Sequence, residues 1–280
     1  MEPVDLALRL TLLTVLLRPI GTGLVRPCIL SLAAAGLVLP GLLRRPGLWI
    51  TLTFFTGLRV VFDWSLADNH AYLLCYWCLA ISLALVSRDT RTCLSFNGRL
   101  LIGLAFFFAT LWKGALSPDY LDGRFFRITL LTDSRFAEFV QFAGGLLPDQ
   151  LEELRAFVTQ HVDGQLLDPP FSPAEPTRFL QVARFMTLWT VAIEGAVAIS
   201  FLWPIGRGVS KLRDATLLTF CVTTYAVATV AGFGWLLLAL GVAQCESERR
   251  KTRFLYLAVF VLILFYREVP WVAQLAAPQG

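Results

Sequence analysis

Asn69-His70-Ala71-Tyr72-Leu73 opens one apolar segment, and Lys113 closes the next, after Phe106-Phe107-Phe108-Ala109-Thr110-Leu111-Trp112. The chain has two His (70 and 161) and three Lys (113, 211 and 251), so both placements use scarce residues. An imidazole can donate or accept a hydrogen bond and is mostly uncharged at neutral pH. An amine partly withdrawn from water can act as a general base. Consecutive spans run antiparallel, so the start of one and the end of the next share a membrane face. Glu194 is a third candidate, near the middle of a later apolar run. An acid at that depth usually faces a cavity or a partner, and Arg59 and Arg184 are candidate partners. Structural readings stand beside each. Lys113 can snorkel and end its helix. His70 can be an interfacial residue beside a helix cap supplied by Asp68 or Asn69. Glu194 can belong to a pair that sets helix packing.

The elements that must position these groups are membrane helices. The 280 residues are 56% hydrophobic and 16% charged, with mean hydropathy +0.66. Soluble domains carry about 25% charge. Runs near the ~20 residues that cross a bilayer recur. Leu100 to Phe108 does not alternate in polarity as a barrel strand would. The composition therefore predicts an all-α, polytopic helix bundle. The net charge of +4 does not point to nucleic acid, because the Arg residues are scattered and mostly flank apolar runs. Glu2 and Asp5 precede the first run, so no cleaved signal peptide is expected.

Hydropathy divides the chain into segments 5–17, 28–43, 48–64, 70–87, 99–116, 179–203, 215–244 and 253–269, which makes about seven to nine hydrophobic segments in one domain. The first carries Arg9 and either crosses or lies along the interface. Arg44-Arg45, then Arg88, Arg91 and Arg99, then Arg207, Lys211 and Arg213 fall in three loops on one side, read as cytoplasmic. The loop around Asp68 and the stretch 117–178 then face the other side, with His70 and Lys113.

Segment 215–244 is too long for one simple span, and Gly232-Phe233-Gly234 interrupts it. A break there would make a re-entrant pair of half-helices and return Arg249, Arg250, Lys251 and Arg253 to the basic side. The alternative is one long tilted helix with a misplaced basic loop. Broken helices at membrane depth need protein or a cavity around them. In 117–178, Leu151, Leu154, Phe157 and Val158 predict a short amphipathic helix starting at Pro148-Asp149. Pro169, Pro170, Pro173 and Pro176 predict an extended connector.

Cys75-Tyr76-Trp77-Cys78 puts two thiols on neighbouring positions of a helix face. A redox CxxC usually starts a solvent-exposed helix, so buried structural thiols are the expectation. No second ligand pair supports zinc, and no metal is expected. None of the six Cys lies in 117–178, which argues against a disulfide-stapled outer region. There is no phosphate loop, nucleophile elbow or HExxH helix. His161, beside Asp163, reads as a surface residue.

At these residues the chain resembles the vitamin K-dependent gamma-glutamyl carboxylase family and its bacterial relatives, the horizontally transferred transmembrane (HTTM) domain proteins. The likeness runs over roughly 65–125 and more weakly to about 245. Asn69 to Leu73 resembles the family's Asn-His-x-Tyr-Leu at the start of a span. Asp89 and Asn97-Gly98 match its following loop, and Ala109 with Lys113 matches the close of its Phe- and Ala-rich span. Asp119-Tyr120-Leu121-Asp122-Gly123 matches its Asp-aromatic-x-acid-Gly stretch, with two extra residues before it. Glu194 matches an acid in the next span.

The resemblance implies that Lys113 is the base that deprotonates a reduced isoprenoid quinone, vitamin K-like, and that His70 assists near the quinone oxygen. It implies quinone contacts for Asn69, Tyr72, Trp112 and Glu194. In the family, the ionised quinol reacts with oxygen to give a strong base that opens a peptide Glu to carboxylation. The family's later Phe-His stretch has Thr224-Tyr225 as its nearest counterpart here, and its large outer domain has none up to Gly280. Peptide carboxylation is therefore not expected, whereas quinol binding or quinol-driven oxygen chemistry is. The expected surroundings are the lipid bilayer, a quinone, and a peptide or membrane-protein partner. Two other classes compete: a non-catalytic membrane subunit that keeps the fold, and a small transporter coupled to protons through Glu194.

Overall fold

The computed structural model describes residues 2–64, 69–162, 176–206, 208–227, 230 and 232–266, with side chains given outside 159–162. The Asp68 cap, most of the Pro-rich connector and the environment of His161 lie outside the described residues. All regular structure described is helical. The helices are α1 Pro3–Leu17, α2 Val25–Val38, α3 Pro46–Phe62, α4 Asn69–Val86, α5 Thr90–Leu111, α6 Arg124–Thr132, α7 Pro148–Val162, α8 Thr177–Leu202, α9 Arg213–Val227, α10 Phe233–Gln244 and α11 Arg250–Ala258. Among the described residues, each apolar segment read from the sequence is largely helical.

Length separates them. Asn69–Val86, Thr90–Leu116 and Thr177–Leu202 are long and apolar enough to cross a membrane. At 1.5 Å per residue they reach roughly 27–40 Å, against a hydrocarbon core of about 30 Å. The protein is thus an all-α, multi-pass membrane protein. Val25–Val38, Pro46–Phe62 and Phe233–Gln244 are apolar but shorter. One boundary moves substantially. The fifth segment starts at Thr90, not Arg99, because Asp89 caps it by accepting from the Thr92 amide at 3.0 Å. Arg91 and Arg99 therefore ride on the helix instead of in a loop.

The chain forms two compact units: residues 1–105 with 197–280, and residues 106–196. In the first, α10 lies at the centre, with every residue from Gly234 to Gln244 buried. A helix apolar all round has no face to offer water, so neighbours enclose it. Leu8 and Leu12 of α1 are also fully buried, so α1 belongs to the core of this unit. The Trp77 indole of α4 donates to Thr11 Oγ1 of α1 at 2.9 Å. Gly98 of α5 lets the helices meet closely: a Cβ there would stand 3.1 Å from the Leu240 carbonyl.

Segment 215–244 is broken, as Gly232-Phe233-Gly234 suggested. Gly232 has φ +77° and begins α10. Arg213 Nε of α9 donates to Gln244 Oε1 of α10 at 2.6 Å, while Tyr225, late in α9, meets Gly234 at the start of α10. The two helices therefore run antiparallel as a hairpin. At 15 and 12 residues, each is shorter than a full crossing. The hairpin brings Arg249 back beside Asp214, at 3.4 Å. Tyr225 locks the bend, accepting from the Gly234 amide and donating to the Val230 carbonyl at 2.7 Å. A hydroxyl does both at once.

In the second unit, α7 begins at Pro148 as expected. Leu151 and Leu154 are buried, and α7 packs on α6. Arg155 Nε donates to the Leu131 carbonyl at 2.8 Å, tying the two helices.

Candidate functional site

The site is built on residues 106–196. Past Leu111, α5 continues as a π-type segment, Trp112–Leu116. A π turn inserts about one residue into the helical register and is frequent at functional sites. Lys113 lies in it. Ser117-Pro118 ends the helix, and a single turn, Pro118–Leu121, follows. Gly123 then takes φ +86° and opens α6. That left-handed backbone explains the glycine in the Asp-aromatic-x-acid-Gly stretch. Its acids work locally: Asp122 Oδ1 accepts from the Arg124 amide at 2.9 Å, and the Arg124 guanidinium pairs with Asp119 and Asp122, each at 2.6 Å.

Tyr120 is turned inward by this arrangement and is 4% exposed. It stacks on Phe125, with centroids 4.9 Å apart, and meets Phe126 edge-on. Lys113 Nζ lies 5.3 Å from its ring centroid, within cation–π range. The same Nζ lies 2.5 Å from Glu194 Oε1 on α8. Burial pushes the Tyr120 phenol well up, and the neighbouring Glu194 carboxylate adds to this; a hydrogen bond with Thr190, one turn before Glu194, opposes it. The Tyr120 hydroxyl therefore stays protonated.

Glu194 is therefore partnered by Lys113, not by Arg59 or Arg184. Arg59 pairs with Asp63 one turn along its own helix, at 3.4 Å, and Arg184 is exposed. The Glu194 side chain is 8% exposed and that of Lys113 is 22% exposed. Glu194 Oε2 is buried and has no hydrogen-bond partner among the described residues. Such an oxygen is costly to leave unpaired, and it is the one open acceptor in the cluster. Trp112, beside Lys113, is 62% exposed.

The other sequence candidates belong to the first unit. Asn69 starts α4 and is exposed. His70 stacks on Phe233, with centroids 4.6 Å apart and planes 23° from parallel. Tyr72 Oη lies 3.5 Å from the Trp64 carbonyl, at the limit of a hydrogen bond. Cys75 and Cys78 are free thiols, the second buried. No cluster of three potential metal ligands occurs among the described residues. Tyr120 and Thr190 were not singled out by sequence reasoning. The motif around Gly123 was the available signal for Tyr120; nothing local marks Thr190.

A buried amine–acid pair beside an open carboxylate oxygen can move one proton between Nζ and Oε1 and present a donor or an acceptor to a polar ligand. Comparison with family models, with curated proteins and with solved structures returned no match.

Proposed function

We propose that this membrane protein handles the hydroxyl proton of a reduced isoprenoid quinone at Lys113, as the vitamin K-dependent carboxylase and HTTM resemblance implies. One observation carries the reading. Lys113, Tyr120 and Glu194 come from three separate stretches quoted for that resemblance, and they converge on one another.

The residues suit such a ligand. Glu194 Oε2 offers a buried acceptor, Lys113 keeps further N–H donors, and exposed Trp112 and Phe108 give apolar surface for a ring or tail. The bound quinol supplies a hydroxyl whose ionised form reacts with oxygen. Lys113 can pass its proton to Glu194 Oε1, which leaves a neutral amine beside a neutral acid. The amine then takes the proton of the ligand hydroxyl. Tyr120 holds the ammonium form in place through its ring face. For His70, Asn69 and Tyr72, which belong to the other unit, ligand contacts are what the resemblance implies. The 117–178 stretch is assigned to the non-cytoplasmic side.

The test uses purified protein in nanodiscs with reduced quinone. Both Lys113→Ala and Lys113→Arg should lose about 100-fold or more of quinol oxidation, the usual scale for a general base. Full oxidation in both variants removes Lys113 as the base. Mass spectrometry of extracted lipids should find a co-purifying isoprenoid quinone.

A second reading has its own support. The Lys113–Glu194 pair is already neutral as a unit and can join α5 to α8 with no ligand. A non-catalytic membrane subunit needs nothing more. Co-purification of a stoichiometric partner without quinone would favour it.

A further inference from the structure

Beyond Lys113 the chain climbs α8 instead of leaving it. Three contacts within the second unit mark the climb: Lys113 pairs with Glu194, Tyr120 bonds Thr190, and a Cβ on Gly123 would stand 3.8 Å from Thr187 Oγ1. The loop after α6 reaches the first turn of α8, where Arg178 donates to the Phe142 carbonyl at 3.1 Å.

α8 therefore serves as a depth scale, since it is long and apolar enough to cross a membrane. From Thr187 to its last residue, Leu202, is about 23 Å, most of the ~30 Å hydrocarbon core. Arg178 and Arg184 are exposed, and Glu194 carries the only charge on α8 after Arg184. The hydrocarbon edge thus falls near Thr187, and the turn 116–125 is held at that edge. Its Leu116, Leu121 and Phe125 are between 47% and 59% exposed. Its charges close on themselves, with Arg124 answering both Asp119 and Asp122. Mutually paired charges and outward apolar side chains suit a boundary between headgroups and acyl chains. α7, which packs on α6, has the contrary character and exposes Gln150, Glu152 and Glu153.

We infer that the turn 116–125 is a lipid-binding surface lying on the bilayer edge. Leu116, Leu121 and Phe125 enter the acyl boundary, and the ion cluster sits among zwitterionic headgroups. An amphipathic surface of this kind sinks about 5–10 Å into that boundary. Exposure alone does not select it. Phe142 is 85% exposed, but its carbonyl is held at Arg178, about 14 Å farther along α8 than Thr187 and so outside that layer. The occupant is phospholipid because the surface is continuous with α8 at the same depth, where Phe185 and Leu188 are also exposed. The Lys113–Glu194 contact enters only as a depth mark, and no ligand there is needed.

The experiment places full-length protein in nanodiscs of zwitterionic lipid with no quinone added. Trifluoromethylphenylalanine replaces Phe125, Phe142 or Glu152, one at a time, and fluorine NMR reads the broadening caused by two paramagnetic agents. One is a phospholipid with a nitroxide at the top of its acyl chain; the other is a water-soluble gadolinium chelate. The Phe125 position should be broadened several-fold more than the other two by the lipid label, and several-fold less by the chelate. Broadening by the chelate to the level of the Glu152 position overturns the inference. So does broadening by neither agent, which would mean that protein, such as a second copy, covers the surface. Equal broadening of the Phe125 and Phe142 positions by the lipid label also overturns it, because depth along α8 then decides nothing. If the Phe125 variant melts below wild type, Leu121 carries the label in its place, with the same outcomes. Quinol oxidation by the Lys113 variants is a separate readout, so either reading can fail alone.

Discussion

Glu194 and Asp214 are equally buried acids, each 6% exposed, yet their surroundings are opposite. Asp214, at the junction of α9, α10 and α11, accepts from Gln244 at 2.6 Å, Tyr256 at 2.9 Å and Arg249 at 3.4 Å. Gln244 is in turn held by Arg213 at 2.6 Å. Both Asp214 oxygens are used, and the network joins three helices. Glu194 has one strong partner and one buried oxygen with none among the described residues. It faces a π-type turn, not a regular helix. A fully satisfied polar network fixes structure, whereas a partly satisfied one leaves capacity for a ligand. The contrast separates an acid whose hydrogen bonds are all made within the fold from one with an acceptor left over among the described residues.

The largest effect expected is on activity. Lys113→Ala should lower quinol oxidation by about 100- to 10,000-fold, while Asp214→Asn, assayed at a temperature where it is folded, should leave it within a few-fold. Equal losses would erase the distinction. Stability should show the reverse order. Asp214→Ala should cost about 3–5 kcal/mol, because it strands buried donors and Arg249, and thermal unfolding in detergent would measure it. Replacing both members of the other pair, Lys113→Met with Glu194→Leu, should be near neutral to stability, since a buried pair is often no better than apolar packing. A large drop for the double variant would show that the pair is there to hold α5 to α8, and would favour the non-catalytic reading.

Tyr225→Phe should cost about 1–3 kcal/mol by orphaning the Gly234 amide and the Val230 carbonyl, and hydrogen exchange should rise at Gly234. Unchanged exchange would mean that the hairpin bend is held by the backbone alone. The smallest effect belongs to Asp89, at the start of α5. Its hydrogen bond from the Thr92 amide, reinforced by the Thr92 side chain, lowers its pKa. A carboxylate with a lowered folded-state pKa stabilises above its ordinary pKa, and loses that contribution as pH falls through the folded value. Asp89→Ala should lower stability slightly at neutral pH and flatten the fall on the acid limb in a series of melts; a loss at neutral pH as large as that of Asp214→Ala would contradict the ranking.

Much of the site was legible at the level of single residues. Lys113 and Glu194 stood out because charge in an apolar run is costly wherever it occurs. Their pairing was not legible. Arg59 and Arg184 were as plausible by type, and the choice depends on which helix faces meet. Asp214 gave no signal, because at a segment start it looks like an ordinary interfacial acid; only the return of α10 buries it. Tyr225 was read as an absent His, although its hydroxyl closes the hairpin.

The sequence by itself determined an all-α, membrane-helix fold, the approximate place of its apolar helices and the start of α7 at Pro148, and it marked Gly232-Phe233-Gly234 as a candidate break. These are local matters of hydropathy, period and backbone freedom, which a linear chain displays. Tertiary structure alone decided that α1 and α10 are core, that Lys113 and not an arginine meets Glu194, and that Gly123 meets Thr187. Those outcomes depend on contacts between residues tens to hundreds of positions apart, and no local pattern encodes which faces come together.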